Sequence, residues 1–327
     1  MNTWMLPDGV EEILPPASWR LELLRRRLLD HYRDAGYDFV LPPLIEHRDA
    51  LLAGAGAALL HQTFALTDPA SGRLLGVRSD MTPQAARIAA RHFREQPQVR
   101  LCYLGTVLRT RPDAIGAARA LIQVGCELFG ESGLTGDIEV LRLMLQTLQL
   151  AGVGGVHLDL GHVGIYRAIA ARLKLDSNDE TALFDILQRK SAPDLADFAA
   201  GRALPLDAAA TLQRLMSLHG EVAVLDEAAT TLGSGDTAID EALGALRQVA
   251  HSVAREFPQL PLHIDLAELR GYRYHTGLVF AAYVDGSGRE IARAGRYDGA
   301  GSEYGASRPA TGFSADLNEL MRHGSQD

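Results

Sequence analysis

The sequence predicts an α+β fold: an antiparallel sheet flanked by helices and broken by an all-helical insertion. Three observations carry this prediction. Strand patterns run through residues 99–130 and return at 262–293. Residues 174–257, between them, are rich in Ala, Leu, Asp and Gln, with almost no β-branched alternation. Amphipathic helices flank the strands on both sides. Strands with helices, then helices alone, then strands again is the order of one core with an insertion. The expected organisation is a core in two parts, 1–173 and 258–327, around a helical module of about four helices at 174–257.

Each element has a local reason. Residues 17–35 place Leu21, Leu24, Leu28 and Tyr32 on one helical face, and Gly36 stops the helix. Tyr37 to Leu41 reads as a short strand that Pro42 and Pro43 terminate. Residues 62–67 and 73–79 form a hairpin around Pro69, Ser71 and Gly72. Pro83 sits in the first turn of a helix over 83–95. Long strands follow at 99–109 and 118–130, joined by a loop containing Pro112 and Gly116. A helix spans Asp137 to Ala151, a strand Val156 to Leu160, and a helix Val163 to Leu173. After the insertion, strands are expected at 262–267, 277–284 and 289–293. A glycine-rich turn at 295–305 then leads through Thr311-Gly312-Phe313 to a closing helix at 314–323.

Composition narrows the function classes. The 327 residues are 47% hydrophobic and 22% charged, as in an ordinary globular protein. No apolar run approaches the roughly 20 residues that span a bilayer. The first 16 residues contain acids and no basic residue, unlike a secretory signal. A cytoplasmic protein with no membrane partner is therefore expected. The net charge of −9 counts against nucleic acid, whose binding leaves a basic footprint. Cys102 and Cys126 belong to no CxxC pair and read as buried, reduced thiols. No Walker loop, GxGxxG, HExxH or His/Cys cluster with metal spacing occurs, so neither cofactor nor metal is expected.

Four segments concentrate polar side chains within apolar strands: Arg78 to Pro83, Arg109 to Glu127, Arg270 to Gly277, and Gly295 to Gly299. Arg119, Leu121, Gln123, Gly125 and Glu127 are spaced two apart and share one strand face. That face holds a cation, an amide and a carboxylate. A solvated surface accounts for it, and so does a pocket for a small zwitterion. The strand alone leaves both readings open.

Taken together, these segments resemble the signature motifs of class II aminoacyl-tRNA synthetases, and of histidyl-tRNA synthetase in particular. Gly36 to Glu46 resembles the first motif, which lies at the dimer interface. Arg78 to Pro83 resembles the loop that holds the histidine amino group, and Tyr103 to Glu127 the second motif. Arg270 to Phe280 resembles the histidine-specific segment, and Gly295 to Leu320 the third motif. The resemblance implies a class II synthetase-like fold and a histidine pocket. Asp80 and Thr82 fall where the family holds the α-amino group. Gln123 falls where it reads polar groups of the amino acid, and Glu127 where it accepts an imidazole N–H. Arg109 and Arg270 fall on the arginines facing the carboxylate and α-phosphate, and Arg119 on a further pocket arginine. Tyr274 and His275 fall on the paired tyrosines beside the imidazole, the second of them replaced.

The ATP half departs from the family. Arg111 stands where a glutamate accepts from adenine, and arginine has no acceptor. Leu121 replaces the phenylalanine that stacks on adenine, and Ala117 an arginine. Glu319 stands at the arginine that stabilises the γ-phosphate, reversing the charge there. The sequence ends shortly after the third motif, so no anticodon-binding domain and no tRNA partner are expected. This combination resembles one family closely, the regulatory subunits of ATP phosphoribosyltransferase. The resemblance implies a non-catalytic chain, a homodimer within a hetero-oligomer, the catalytic subunit as partner and L-histidine as feedback effector. The alternative is a truncated, tRNA-independent histidine-activating ligase, which ATP–pyrophosphate exchange would reveal. A scaffold or RNA-binding relic is a third possibility, which the acidic charge disfavours.

Overall fold

A computed structural model of the chain describes residues 5–53, 56–112, 117–232, 235–268 and 274–325. It forms two compact units, Met1–Gly154 with Asp298–Asp327, and Gly155–Tyr297.

The first unit opens with α1 (Ala17–Asp34), whose Leu24, Leu28 and Tyr32 are buried. Gly36 follows in a left-handed conformation that glycine adopts without strain. The expected strand shrinks to β1 (Asp38–Phe39). Val40 still donates to Cys102 O, but Pro42 and Pro43 have no N–H to continue the ladder. The sequence reading placed nothing at β2 (Ile45–His47), α2 (Arg48–Leu52) or α3 (Gly56–Gln62). The expected hairpin forms as β3 (Phe64–Thr67) and β4 (Leu74–Val77), and β2 joins it in a small sheet ordered β2-β4-β3. Next come α4 (Thr82–His92), with Pro83 in its first turn, and the long strands β5 (Val99–Leu108) and β6 (Ala120–Phe129). Helix α5 (Leu134–Leu150) starts three residues ahead of Asp137.

The second unit starts with β7 (Val156–His162) and α6 (Val163–Leu173). The helical segment contains α7 (Ser177–Gln188), α8 (Ala192–Gly201), α9 (Leu206–Ser217), a two-residue β8 (His219–Gly220), α10 (Val224–Thr231) and α11 (Thr237–Glu256). Five helices stand there among the described residues, where about four were expected. Strands β9 (Leu262–Asp265), β10 (Leu278–Val284) and β11 (Ala292–Arg296) return the chain to a sheet ordered β11-β10-β7-β9-β8. β11 begins three residues later than expected.

The chain re-enters the first unit as β12 (Ala310–Asp316) and α12 (Leu317–His323). This corrects the expected helix at 314–323. Asp316 caps the helix by accepting from Asn318 N, so Ser314 to Asp316 stay in the strand. The first unit's sheet runs β1-β5-β6-β12. It is antiparallel except for the parallel β1–β5 pair, and in the second unit β7 and β9 are likewise parallel. Helices α1 and α5 lie together on one face of the first sheet, joined by a Tyr32–Thr147 hydroxyl contact of 3.0 Å. Phe313, paired with Cys126, meets the Tyr32 ring edge-on at 6.2 Å. Alternate residues Gln123, Gly125 and Glu127 therefore point to the other face.

Candidate functional site

That other face carries a closed polar network in the first unit. Gln123 and Glu127 are 4% and 1% exposed, which removes the solvated-surface reading of this strand. A buried polar group needs partners, and the turn before α4 supplies them. Met81 N donates to Gln123 Oε1 at 2.8 Å, and Gln123 Nε2 donates to Asp80 Oδ1 at 2.9 Å. Asp80 Oδ1 also accepts from Thr82 N at 2.9 Å. The amide of Gln123 is thus held at both ends.

Glu127 is held by hydroxyls. Thr82 Oγ1 and Tyr103 OH each lie 2.9 Å from Glu127 Oε1, and 2.9 Å from one another. Two hydroxyl protons serve three contacts. Both are best spent on the carboxylate, because hydrogen bonds to a charged acceptor are the stronger ones. Burial, followed by the charges of Glu127 and Asp80, pushes the Tyr103 hydroxyl far up, so it stays a donor. Two glycines make the room. A Cβ on Gly312, which pairs with Glu127, would fall 1.6 Å from Glu127 Oε2. A Cβ on Gly125, which pairs with Tyr103, would fall 2.6 Å from the Tyr103 hydroxyl. The sequence reading missed Tyr103 and both glycines as site residues. The signal was a register: two long strands joined by a hairpin set residue 103 opposite residue 125.

The arginines differ. Arg109 is buried, and its Nε donates to Ser79 O at 3.4 Å, in the turn that carries Asp80. Arg119 spends its guanidinium on backbone carbonyls, those of Arg109 at 3.1 Å and Asp8 at 3.2 Å. It also lies over the Phe64 ring, 5.2 Å from its centroid. Among these contacts none links Arg119 to the Glu127 network. Arg270 lies outside the described residues.

The positions assigned to ATP carry other chemistry. Arg111 is exposed, while Ala117 and Leu121 are buried. Glu319 is buried and accepts from Arg322 Nη1 at 2.7 Å. Beside it, burial pushes the Asp316 carboxyl up to about 6. Two acids stand here, and neither can neutralise a phosphate.

The second unit holds Tyr274 and His275, both half-buried. Tyr274 stacks on Tyr297 at 4.8 Å and meets His275 edge-on at 5.5 Å. Arg167 of α6 donates to His275 O at 2.7 Å. His162 caps α6 through Nδ1, accepting from Gly164 N at 3.1 Å. Burial, then the nearby Arg296 charge, lowers it to about 4, so it is neutral at pH 7. Among the described residues, no group of three or more His, Cys, Asp or Glu could hold a metal ion.

Comparison with known proteins gives the chain its relatives. The family model described as histidyl-tRNA synthetase matches residues 9–320. The chain is 52% identical over 321 residues to the ATP phosphoribosyltransferase regulatory subunit of Thioalkalivibrio sulfidiphilus, covering 98% of this chain and 81% of that one. It is similar to the crystal structure of an ATP phosphoribosyltransferase regulatory subunit/histidyl-tRNA synthetase from Bacillus halodurans, with a TM-score of 0.88 at 25% identity over 99% and 83% of the two chains. A chain in the ATP phosphoribosyl transferase (HisG:HisZ) complex from Thermotoga maritima shares the fold, with a TM-score of 0.69 at 17% identity over 94% and 98%.

Proposed function

The chain belongs to the regulatory subunits of ATP phosphoribosyltransferase, on a histidyl-tRNA synthetase fold, and on that premise we propose that the network around Glu127 is its histidine sensor. Its class is regulatory and non-catalytic, within histidine biosynthesis. The observation that carries the sensor reading is a carboxylate buried in mid-strand and held by two hydroxyl donors. Such a group is costly to bury and is suited to accept an imidazole N–H. Asp80, Thr82 and Gln123 offer an anion, a hydroxyl and an amide for the ammonium end, and Arg109 a cation for the carboxylate. The family resemblance assigns Tyr274, His275, Arg270 and Arg119 to the same ligand as further histidine-binding residues.

The partner is the ATP phosphoribosyltransferase catalytic subunit. L-histidine acts as feedback effector by binding the inhibited assembly better than the active one, which is the only way a ligand shifts such an equilibrium. The chain forms a homodimer within that hetero-oligomer, works in the cytoplasm and takes neither tRNA nor a cofactor. Residues 174–257 are an insertion into a core formed by 1–173 and 258–327. No helix among the described residues is long and apolar enough to cross a membrane.

Calorimetry with L-histidine tests the sensor, on the chain alone and on its complex. Binding is expected, and Glu127→Gln should weaken it by about 1–3 kcal/mol, the scale for a lost charged hydrogen-bond partner. Absence of binding in both forms would sink the sensor. Measurable ATP–pyrophosphate exchange would sink the non-catalytic assignment.

A further inference from the structure

Helices α6 and α7 enclose a cleft of about 770 Å³ in the second unit. That lies within the roughly 300–1,000 Å³ of small-molecule sites. Ala170, Leu175 and Phe184 give it an apolar lining, and Arg167, Lys174 and Glu180 a charged one. Arg167 stands on α6, and Lys174, in a left-handed conformation at the C-cap of that helix, lines the same cleft. Glu180 faces them from α7.

The surrounding charges are already matched. Arg172 pairs with Asp236, and Arg202 with Asp179. Asp176 takes three of the first-turn amides of α7, accepting from Asn178 N and Asp179 N with its side chain and from Glu180 N with its carbonyl. No ion pair within 4 Å joins Lys174 or Glu180 to another described residue. Arg167, Lys174 and Glu180 line the cleft together with the hydroxyls of Ser177 and Thr181 and the apolar side chains.

We propose that this cleft is a second effector site and that its ligand is an α-amino acid. The ligand carboxylate lies between Arg167 and Lys174, its ammonium against Glu180, and its side chain on the apolar lining. A phosphate dianion fits worse, because Glu180 repels it while its own need for a cation goes unmet. The site is coupled to the segment bearing Tyr274 and His275, because the Arg167 guanidinium that lines the cleft also holds His275 O. A carboxylate drawn to Arg167 competes with that carbonyl.

The test titrates single L-amino acids, and separately inorganic phosphate, into the intact chain carrying Glu127→Gln. That background separates the cleft from the Glu127 network. At least one amino acid should bind, and Lys174→Met with Glu180→Gln should weaken it at least tenfold. Ala171→Trp, which fills the cleft from an exposed position, should do the same without the charge change. In the chain with Glu127 intact, histidine affinity at the Glu127 network should survive all three substitutions. The proposal fails if no amino acid binds, if binding ignores both kinds of variant, or if phosphate binds and amino acids do not. Amide exchange at Thr276, which donates to Arg296 O, should change on occupancy; unchanged exchange would overturn the coupling.

Discussion

Asp316 shows how one buried carboxyl sets a pH dependence. It accepts from Ile122 N at 3.3 Å and Asn318 N at 3.1 Å, which favours its ionised form. Burial outweighs both, with Glu319 repulsion added, and raises it to about 6 from an ordinary 3.8. Below pH 4 Asp316 is protonated in folded and unfolded chains alike, and costs nothing. As pH rises through 6 the folded chain must ionise it in a poor solvent, and stability is lost. A gap of roughly 2 pH units corresponds to about 3 kcal/mol at most. Asp316→Asn keeps an acceptor oxygen for both amides and removes the charge. Urea unfolding at pH 7.5 should find the variant about 1–3 kcal/mol more stable, and at pH 3.5 nearly equal to the parent. The same offset at both pH values would assign the effect to packing and refute the titration. Glu319 next to it illustrates the wider exchange at this end of β6. Where the synthetase resemblance puts a phosphate-binding arginine, the chain has a buried acid satisfied by its own helix neighbour Arg322.

At the scale of elements, the β6–β12 pair is a backbone built around a carboxylate. Gly312 lies opposite Glu127, and its missing Cβ is the space that Glu127 Oε2 uses. Gly312→Ala must either push Glu127 off its hydroxyls or part the strands. Overpacking of this kind costs about 1–3 kcal/mol, and histidine binding should fall with it. Gly154→Ala, with nothing within 4 Å of the added methyl, serves as the control and should leave both unchanged. Equal histidine affinity in Gly312→Ala and the parent would separate Glu127 from the ligand. Much of this frame was legible beforehand. The period-2 face of β6 exposed Gln123 and Glu127 as a pair, the 3.6-residue pattern found α1, and Pro83 marked the first turn of α4. Three things were not legible. Arg119 reads as a pocket cation, and its contacts to the carbonyls of Arg109 and of Asp8, the latter in a segment with no periodicity, could not be read from the strand. Tyr103 reads as one more buried aromatic, since its role depends on cross-strand register. The end of β12 was read as helix because Asp316, the capping residue, suits the first turn of a helix as well as the position before it.

At the scale of the whole molecule, several large apolar side chains of the first unit are exposed. Trp19 and Leu23, one helical turn apart on α1, are 64% and 55% exposed. Phe39, Leu41, Leu44 and Ile45 follow, of which Leu41 is 73% exposed. Single exposed apolar residues are ordinary on a soluble protein, but a run of them marks an interaction site. Phe39, Leu41, Leu44 and Ile45 fall within the segment that resembles the dimer motif of class II synthetases. The run also flanks β1, the edge of its unit's sheet, which is two residues long and followed by Pro42-Pro43. So short an edge suits side-chain packing better than strand addition. The homodimer proposed above therefore buries this face through side chains. Phe39→Glu with Leu41→Glu should place like charges across the two-fold axis and leave the β5–β6 ladder intact, because both side chains are exposed. Sedimentation velocity should then find monomers where the parent sediments as a dimer, with the far-ultraviolet circular dichroism unchanged. A parent that sediments as a monomer, or a variant that stays dimeric, would move the interface elsewhere. The net charge of −9 sharpens the test. Two copies of an acidic chain repel, and salt screens that repulsion within a Debye length of about 8–10 Å. If apolar burial drives association, raising salt should tighten the parent dimer rather than loosen it.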